Sequence, residues 1–351
     1  MTPSSTPVHT SRHILLTGAS SGIGHQAALQ LRRAGHQLTL PCRDPATAEA
    51  TLARLEQAEP VGPSARAPVC DLADLASIER CAAELLGRGE PIDSLVLNAG
   101  LQYSGGTEPR RSAQGHELTI AVNHLAHQAL AQRLLPLLNG SQAPRLVVTA
   151  SEVHDPAAAG GRVGQPAGLG DLAGLRAGSG FEMVAGGLPF DADKAYKDSK
   201  LCNLLFAREL ERRLQVRGTP MPVLAWSPGL VIPPGSGGFF RYSRRHNEWG
   251  QRLFALVARD LLRITATVEL AGGLLAELAS ADLHGSPGFS YRSNRVVGLG
   301  RLRFELSEPS AEALDDSLAE ALWAISAELV GQSAELPSPA GGASQRVDHR
   351  P

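Results

Sequence analysis

A tyrosine and a lysine four residues apart form the pair in this sequence best suited to move a proton. Tyr196 and Lys200 lie in the run Lys-Ala-Tyr-Lys-Asp-Ser-Lys. On a helix this spacing puts the phenol and the ammonium on one face. A nearby positive charge favours the phenolate, so we expect the pKa of Tyr196 to fall from about 10 toward neutral pH. The pair predicts a general acid, although the same spacing also occurs on solvated helix faces.

A glycine-rich loop near the start of the chain predicts a dinucleotide site. Residues 13–17 are typical of a short buried strand, and the glycines are followed by an apolar-periodic helix. Glycines let the backbone approach a pyrophosphate, and the free amides and positive end of the helix stabilise its charge. The residues expected to contact the cofactor here are Thr17, Gly18, Ser20, Ser21, Gly22, Ile23 and Gly24.

Apolar runs alternate with helical patterns along the chain, and these patterns predict the strands and helices that must position the two groups. This alternation predicts an α/β fold, a Rossmann-type doubly wound parallel sheet of about seven strands flanked by helices. The runs lie at residues 13–17, 37–42, 67–70, 94–98, 145–150, 222–227 and 287–291. Ligands bind such a sheet at the carboxyl ends of its strands. Gly18, Arg43, Asp71, Asn98, Ser151 and Pro228 fall there.

The alternation of strands and helices predicts one dinucleotide-binding domain of Rossmann type over residues 13–334. We expect flexible tails at 1–12 and 335–351, which are polar or rich in Pro, Gly and Ser. A glycine-rich stretch at about 155–190 interrupts the alternation and is interpreted as an insertion before the catalytic helix. A second interruption, at about 229–268, is interpreted as a substrate lid.

Composition agrees with an enzyme of this class. The chain has 351 residues, 43% hydrophobic and 19% charged, and a net charge of −2, which gives no general attraction to nucleic acid. The sequence shows neither a signal peptide nor an uncharged apolar run long enough to span a bilayer. Its four cysteines are scattered without the spacing of a metal site or a disulfide framework, so we expect a cytoplasmic protein without a metal.

Arg43, at the end of the second predicted strand, bears on the choice of cofactor. A carboxylate at this position would accept hydrogen bonds from the adenosine ribose, whereas an arginine can grip a 2'-phosphate with two hydrogen bonds. The arginine therefore favours NADPH. The alternative is a surface arginine paired with its neighbour Asp44.

The motifs together resemble the short-chain dehydrogenase/reductase family over roughly residues 12–330. The matching segments are residues 17–24, the turn 98–100, and the four residues Asn123, Ser151, Tyr196 and Lys200. The resemblance implies that Tyr196 donates a proton, Lys200 lowers its pKa and binds the nicotinamide ribose, Ser151 holds the substrate, and Asn123 holds a water. Further cofactor contacts are implied at Asp71, Leu72, Asn98, Ala99, Gly100, Pro228 and Gly229. Asn123 could instead merely bend its helix, and Ser151 could be an ordinary strand-end hydroxyl.

A narrower resemblance, to light-dependent protochlorophyllide reductases, rests on the segment before and through the catalytic helix. Ser151 and Tyr196 are 45 positions apart (196 − 151), far more than in a simple member of the family, and residues 190–203 match the reductases closely. The resemblance implies chlorophyll biosynthesis: reduction of the C17=C18 double bond of a tetrapyrrole, protochlorophyllide, to give chlorophyllide, with a location at a photosynthetic membrane. It also implies that Cys202 contacts pigment or supplies protons, whereas a lone helical cysteine is usually a core residue.

Several departures keep other functions open. The lysine that the resemblance implies four positions beyond Arg43 is Thr47, and the threonine expected after Pro228-Gly229 is missing. One alternative is a light-independent carbonyl reductase, similar to retinol dehydrogenases, with an apolar substrate. Another is a catalytically silent NADP sensor. Basic and aromatic residues within 239–252 leave peripheral membrane contact open, and self-association is also open.

Overall fold

The computed structural model describes residues 11–231, 265–281, 287–298 and 301–337. Its centre is an eight-stranded sheet in the order β3-β2-β1-β4-β5-β6-β7-β8. The strands β1 to β7 are parallel, and β8 is antiparallel to β7. The strands are β1 His13–Leu16, β2 Gln37–Thr39, β3 Ala65–Arg66, β4 Ser94–Leu97, β5 Arg145–Thr149, β6 Pro222–Ser227, β7 Gly288–Gly298 and β8 Arg301–Leu306. The predicted doubly wound α/β fold is confirmed.

Helices cover both faces of the sheet and form two apolar layers. On one face α1, α2 and α8 pack against β1, β2 and β6, and on the other α3, α5, α7 and α9 pack against β4 and β5. The helices are α1 Gly22–Arg33, α2 Pro45–Ala58, α3 Leu75–Arg88, α4 Leu118–Ile120, α5 Ala126–Asn139, α6 Ala173–Arg176, α7 Ala192–Val216, α8 Val268–Ser280 and α9 Asp316–Leu329. A π-helical turn at Ala121–Leu125 joins α4 to α5. Strands β4 and β5 are buried along their whole length, as expected for central strands covered on both faces.

The structure differs from the sequence prediction at the two edges of the sheet. The third strand, predicted at 67–70, is the shorter pair Ala65–Arg66. Pro68 has no N–H and interrupts the ladder, which resumes only as an isolated bridge between Cys42 and Val69. At the other edge the seventh strand runs on to Gly298 and pairs with β8, a strand that the sequence analysis missed. Strand β8 is half exposed and rich in arginine, so it lacks the apolar run of a buried strand.

The predicted boundaries are displaced at both ends of the described chain. Arg12, assigned to the N-terminal tail, is buried, and its main-chain N–H donates to His36. At the other end Leu336, assigned to the C-terminal tail, packs against the larger core. Most of the proposed lid at 229–268, including the basic and aromatic residues of 239–252, lies outside the described residues. Among the helices that are described, none is both long and apolar enough to cross a bilayer.

Candidate active site

The glycine loop at the carboxyl end of β1 has the shape that a bound pyrophosphate requires. A Cβ on Gly24 would lie 2.3 Å from the carbonyl oxygen of Gly18, so the loop closes only with glycine there. Gly22 has φ +57° and faces open space, and α1 begins at this residue. Ser21 makes no side-chain cap, and the first turn of α1 contains no acidic residue, so its amides are available to an anion. The loop therefore fits the diphosphate of a nicotinamide dinucleotide.

Replacing Gly24 with alanine tests this close approach. We expect Gly24→Ala to lose dinucleotide binding and to lower the free energy of unfolding by about 1–3 kcal/mol, because the added methyl group meets backbone that cannot move away freely. Calorimetric titration and denaturant unfolding measure the two effects. Gly87→Ala is the matched control, since Gly87 also lies in a helix and an added Cβ meets nothing within 4 Å. Equal behaviour of the two variants would contradict the prediction.

The carboxyl end of β2 is where the sequence analysis expects the adenosine end of the dinucleotide. Arg43 Nε is 2.8 Å from Asp44 Oδ2, so the pairing foreseen as an alternative does occur. It uses only Nε, and no hydrogen bond to the terminal nitrogens of Arg43 is found within the described residues. Asp71 accepts a hydrogen bond from the Ala73 N–H, and Leu72 packs against the core. Arg43 thus keeps nitrogens that can bind a phosphate while it pairs with Asp44.

A hydrogen-bond network joins the carboxyl ends of four neighbouring strands, β1, β4, β5 and β6, beneath the cofactor crevice. The hydroxyl of Thr17 accepts from the main-chain N–H groups of Asn98 and Ala99. The side-chain amide of Asn98 donates to the Thr17 carbonyl, and its oxygen accepts from Thr149. Thr149 in turn accepts from the indole N–H of Trp226. Thr17 and Asn98 therefore fix the crevice floor, with their side chains occupied by protein contacts.

Ser151, Tyr196 and Lys200 are brought together at the edge where β5 ends and α7 passes over it. The Tyr196 hydroxyl forms a hydrogen bond with Ser151. Lys200 Nζ lies 5.5 Å from the centre of the Tyr196 ring and donates to the Thr149 carbonyl at 3.1 Å. Helix α7 is held at its start by Asp191, whose side chain accepts from two main-chain N–H groups. The arrangement supplies two hydroxyls and an amine to one reacting centre.

Burial changes the acid–base properties of this pair in a direction that the sequence analysis did not predict. Desolvation raises the pKa of Tyr196 above its ordinary value, and the hydrogen bond to Ser151 offsets this only in part. The expected fall toward neutral pH is therefore wrong, because the loss of water around the phenol outweighs the hydrogen bond that lowers its pKa. Burial also lowers the pKa of Lys200 to about 7. Lys200 can consequently give and accept a proton near neutral pH.

Asn123 lies in the π-helical turn and connects the loop after β4 to the catalytic helix. Its side-chain oxygen accepts from the Leu101 N–H at 2.8 Å, and its amide donates to the Leu101 carbonyl and to the Ser199 hydroxyl, both at 3.0 Å. A Cβ on Gly100 would lie 3.3 Å from the Asn123 side-chain oxygen and 3.7 Å from Lys200 Nζ, so Asn123 is close to the lysine. Both amide protons of Asn123 are used within the protein. A water beside Lys200 would have to bind an oxygen of Asn123.

His127 and Ser199 are site residues to which sequence reasoning gave no role. His127 is buried, with Nδ1 3.0 Å from the Asn123 carbonyl and Nε2 3.3 Å from the Thr17 hydroxyl. It therefore bridges the crevice floor to the turn that holds Asn123. Ser199 accepts from Asn123 and donates to the Tyr196 carbonyl. The four-residue spacing from Asn123 to His127 was the available signal, since it puts both on one helix face.

The turn after β6 lies on the side of the crevice where the family resemblance implies the nicotinamide. Gly229 has φ +75°, and a Cβ there would lie 2.4 Å from the Asn294 carbonyl oxygen. The side chain of Asn294 donates to the Pro228 carbonyl at 3.1 Å. Strand β7 thus fixes the position of Pro228 and Gly229 at the same edge as Gly18 and Ser151.

The inserted segment is fastened to the catalytic helix by two buried lysines. Lys194 Nζ contacts both carboxylate oxygens of Asp198, at 2.7 and 2.8 Å, and the Gly168 carbonyl at 2.8 Å. Lys197 donates to the carbonyls of Gly161, Val163 and Gln165. The insertion is therefore attached within one turn of Tyr196 on either side.

Cys202 occupies the apolar interior. It is fully buried within the larger core, and burial raises the pKa of its thiol well above the ordinary value. Six residues along a helix correspond to a rotation of about 240°, so Cys202 points away from the face of Tyr196. These observations favour the core residue over the pigment contact. All four cysteines are buried and unpaired, and the described residues contain no cluster able to hold a metal ion.

Comparison with known proteins agrees with this geometry. A model of the family described as short chain dehydrogenase matches residues 12–162. Protochlorophyllide reductase A of Oryza sativa subsp. japonica is 33% identical over 91% of this chain and 80% of its own length, and the Chlamydomonas reinhardtii protochlorophyllide reductase is 32% identical over 91% and 78%.

Among solved structures, an uncharacterized protein from Mycobacterium paratuberculosis superposes with a TM-score of 0.66 at 28% identity. That match covers 95% of this chain and 98% of the other. With similarity over nine-tenths of the chain, and with Ser151, Tyr196 and Lys200 gathered at the dinucleotide crevice, the protein belongs to the short-chain dehydrogenase/reductase family and is an NAD(P)-dependent oxidoreductase acting on a small-molecule substrate.

Proposed function

We propose that the protein is an NADPH-dependent reductase of the protochlorophyllide type, which reduces the C17=C18 double bond of the pigment after the pigment absorbs light. The observation that carries the chemistry is the contact of the Tyr196 hydroxyl with Ser151 beside Lys200. The choice of pigment is supported by the similarity to protochlorophyllide reductases across the insertion as well as the Rossmann core.

In this mechanism the chain supplies a proton and holds the reactants, and bound NADPH would supply the hydride. Tyr196 gives its phenolic proton to the carbon that does not receive the hydride. The resulting phenolate is stabilised by Ser151 and by the ammonium form of Lys200. A proton from solvent then returns to Tyr196 by way of Lys200, whose pKa of about 7 lets it lose a proton and regain one. One hydride and one proton together saturate one double bond.

An apolar cluster next to the catalytic helix favours the proposal of a large apolar substrate. Leu101, Tyr103 and Val122 are buried there together with Ala192, and Phe190 packs against them. The Tyr103 and Phe190 rings are stacked with centroids 5.7 Å apart. These residues come from the loop after β4, the π-helical turn and the end of the insertion. A tetrapyrrole requires a broad apolar site with a few polar anchors, and this packed cluster would support one wall of such a site from behind.

Illumination tests the proposal directly. Purified protein mixed with protochlorophyllide and NADPH should give a red-shifted chlorophyllide absorbance band after a flash, and no product in darkness. The control is the same mixture with NADPH omitted, which should remain unchanged under light. Absence of product after illumination, in a sample shown to bind NADPH, would contradict the pigment assignment.

A second candidate is a light-independent carbonyl reductase with an apolar substrate. The contact between Ser151 and Tyr196 favours it, because two adjacent hydroxyls can donate to one carbonyl oxygen, whereas a carbon–carbon double bond has no such acceptor. Oxidation of NADPH in darkness with retinal-like or steroid-like carbonyls, followed at the NADPH absorbance band, would favour this reading over the first.

A further inference from the structure

Arg54 of α2 reaches back to the glycine loop from a position outside the known cofactor motifs. Its Nη2 donates to the Ser20 carbonyl at 2.6 Å, and its Nε donates to the Ala50 carbonyl within the same helix at 3.2 Å. The side chain is exposed, yet it is held against the loop that receives the dinucleotide. An arginine that meets only carbonyls keeps its full positive charge. Within the described residues no carboxylate pairs with it.

The charge balance at the adenosine end of the crevice gives this arginine a role. Arg43 is paired with Asp44, whose pKa is lowered to about 2 by the Thr47 N–H first and by Arg43 next. Asp44 is therefore ionised at neutral pH, and the pair carries little net charge. A 2'-phosphate brings roughly two negative charges. Arg43 alone cannot balance that charge while it remains paired with Asp44.

The placement of Arg54 on α2 supports the same conclusion. It follows Thr47 by seven residues, close to two helical turns, so both lie on one face of the helix. Thr47 has no charge to offer, and its main-chain N–H is used to cap the helix through Asp44. The positive charge of Arg54 acts on residues at both sides of the crevice. It is the second cause, after burial, that lowers the pKa of His25 in α1. It also acts on Cys42, which lies beside Arg43.

We propose that Arg54 is a specificity-determining residue that, together with Arg43, binds the adenosine 2'-phosphate of NADPH. Arg54 contacts Ser20 of the glycine loop, and its charge also acts on Cys42 just after β2, so a phosphate bound between these two segments would meet both arginines. The inference rests on the proposed use of NADPH. Because it concerns binding in the dark, it is tested without any pigment or light.

Calorimetric titration of the full-length protein with NADPH and with NADH tests the assignment. Arg54→Gln should raise the Kd for NADPH about five- to thirtyfold and leave the Kd for NADH within about twofold. Arg54→Lys should recover part of the NADPH affinity, since it keeps the charge without the planar fork. Arg33→Gln is the matched control, because it removes the same charge from the far end of α1, where Arg33 pairs with Glu59. It should bind both cofactors as the wild type does.

The alternative results separate the possible roles. Equal weakening of NADPH and NADH in Arg54→Gln would mean that Arg54 only tethers the Ser20 carbonyl, and would overturn the proposal. Unchanged binding of both would overturn it as well. If the wild-type protein binds NADPH no better than NADH, it has no NADPH preference and the proposal for Arg54 is overturned. If it prefers NADPH but does not reduce the pigment, the pigment assignment fails and the role of Arg54 is unaffected.

Discussion

Tyr196→Phe should lose turnover by about a hundred- to ten-thousandfold while still binding NADPH. The substitution removes one hydroxyl and keeps the ring, which packs beside Lys200. The lost atom is the one that contacts Ser151, and no other phenol in the described residues contacts that serine. The Lys200 ammonium, another acid beside Tyr196, is directed at the Thr149 carbonyl. The loss should therefore appear in kcat, whichever of the two proposed substrates is turned over.

A matched variant shows whether the loss of turnover comes from removing the proton donor. Tyr291→Phe also removes a buried phenolic hydroxyl, but the Tyr291 ring packs edge-on against His154, with centroids 5.5 Å apart. It should keep turnover near the wild-type level. Titration with NADPH should give similar Kd values for all three proteins. Wild-type turnover in Tyr196→Phe would show that the phenol is not the acid, and wild-type protein that binds NADPH but never turns over any substrate would favour the silent sensor.

The residues of the candidate site could be found from the sequence because they sit in local patterns. The loop Gly18–Gly24 follows a buried strand and begins a helix, and the structure has that strand as β1 and that helix as α1. Tyr196 and Lys200 share a helix face by spacing alone. Ser151 was placed by its position just after an apolar run, and in the structure its side chain interacts with Tyr196.

The features that sequence reasoning missed depend on distant residues or on burial. The contact of Arg54 with Ser20 joins residues 34 positions apart, and no periodicity links them. The pKa of Tyr196 moved in the opposite direction because the loss of water around the phenol is a property of the folded site. At the edge of the sheet, Pro68 and the polar strand β8 weakened the apolar pattern that identifies a strand.

Substitutions in the buried ion pair of Lys194 and Asp198 should have a large effect on the stability of the protein. Their side chains are 7% and 0% exposed. Asp198 also accepts from the Gly168 N–H at 3.0 Å. Asp198→Asn leaves the Lys194 ammonium buried without the carboxylate that contacts it, so we expect the free energy of unfolding to fall by about 3–5 kcal/mol. Denaturant unfolding at neutral pH measures it. An exposed pair gives the scale for comparison: Arg33→Gln, which breaks the contact with Glu59, should cost less than about 1 kcal/mol.

The double variant Lys194→Met/Asp198→Asn separates charge from packing, because the new amide can still accept from the Gly168 N–H while neither charge remains. It should be more stable than Asp198→Asn alone.

The single variant Lys194→Met should add a pH dependence to the stability. Burial already raises the pKa of Asp198 to about 6 against the attraction of Lys194, and losing Lys194 raises it further. The native state then holds a proton that the unfolded chain releases near pH 4, so the stability of Lys194→Met should fall as pH rises from about 4 through 6 and beyond. A Lys194→Met protein whose stability relative to wild type is the same at pH 5 and pH 8 would show that the ion pair does not hold the insertion to the catalytic helix through charge.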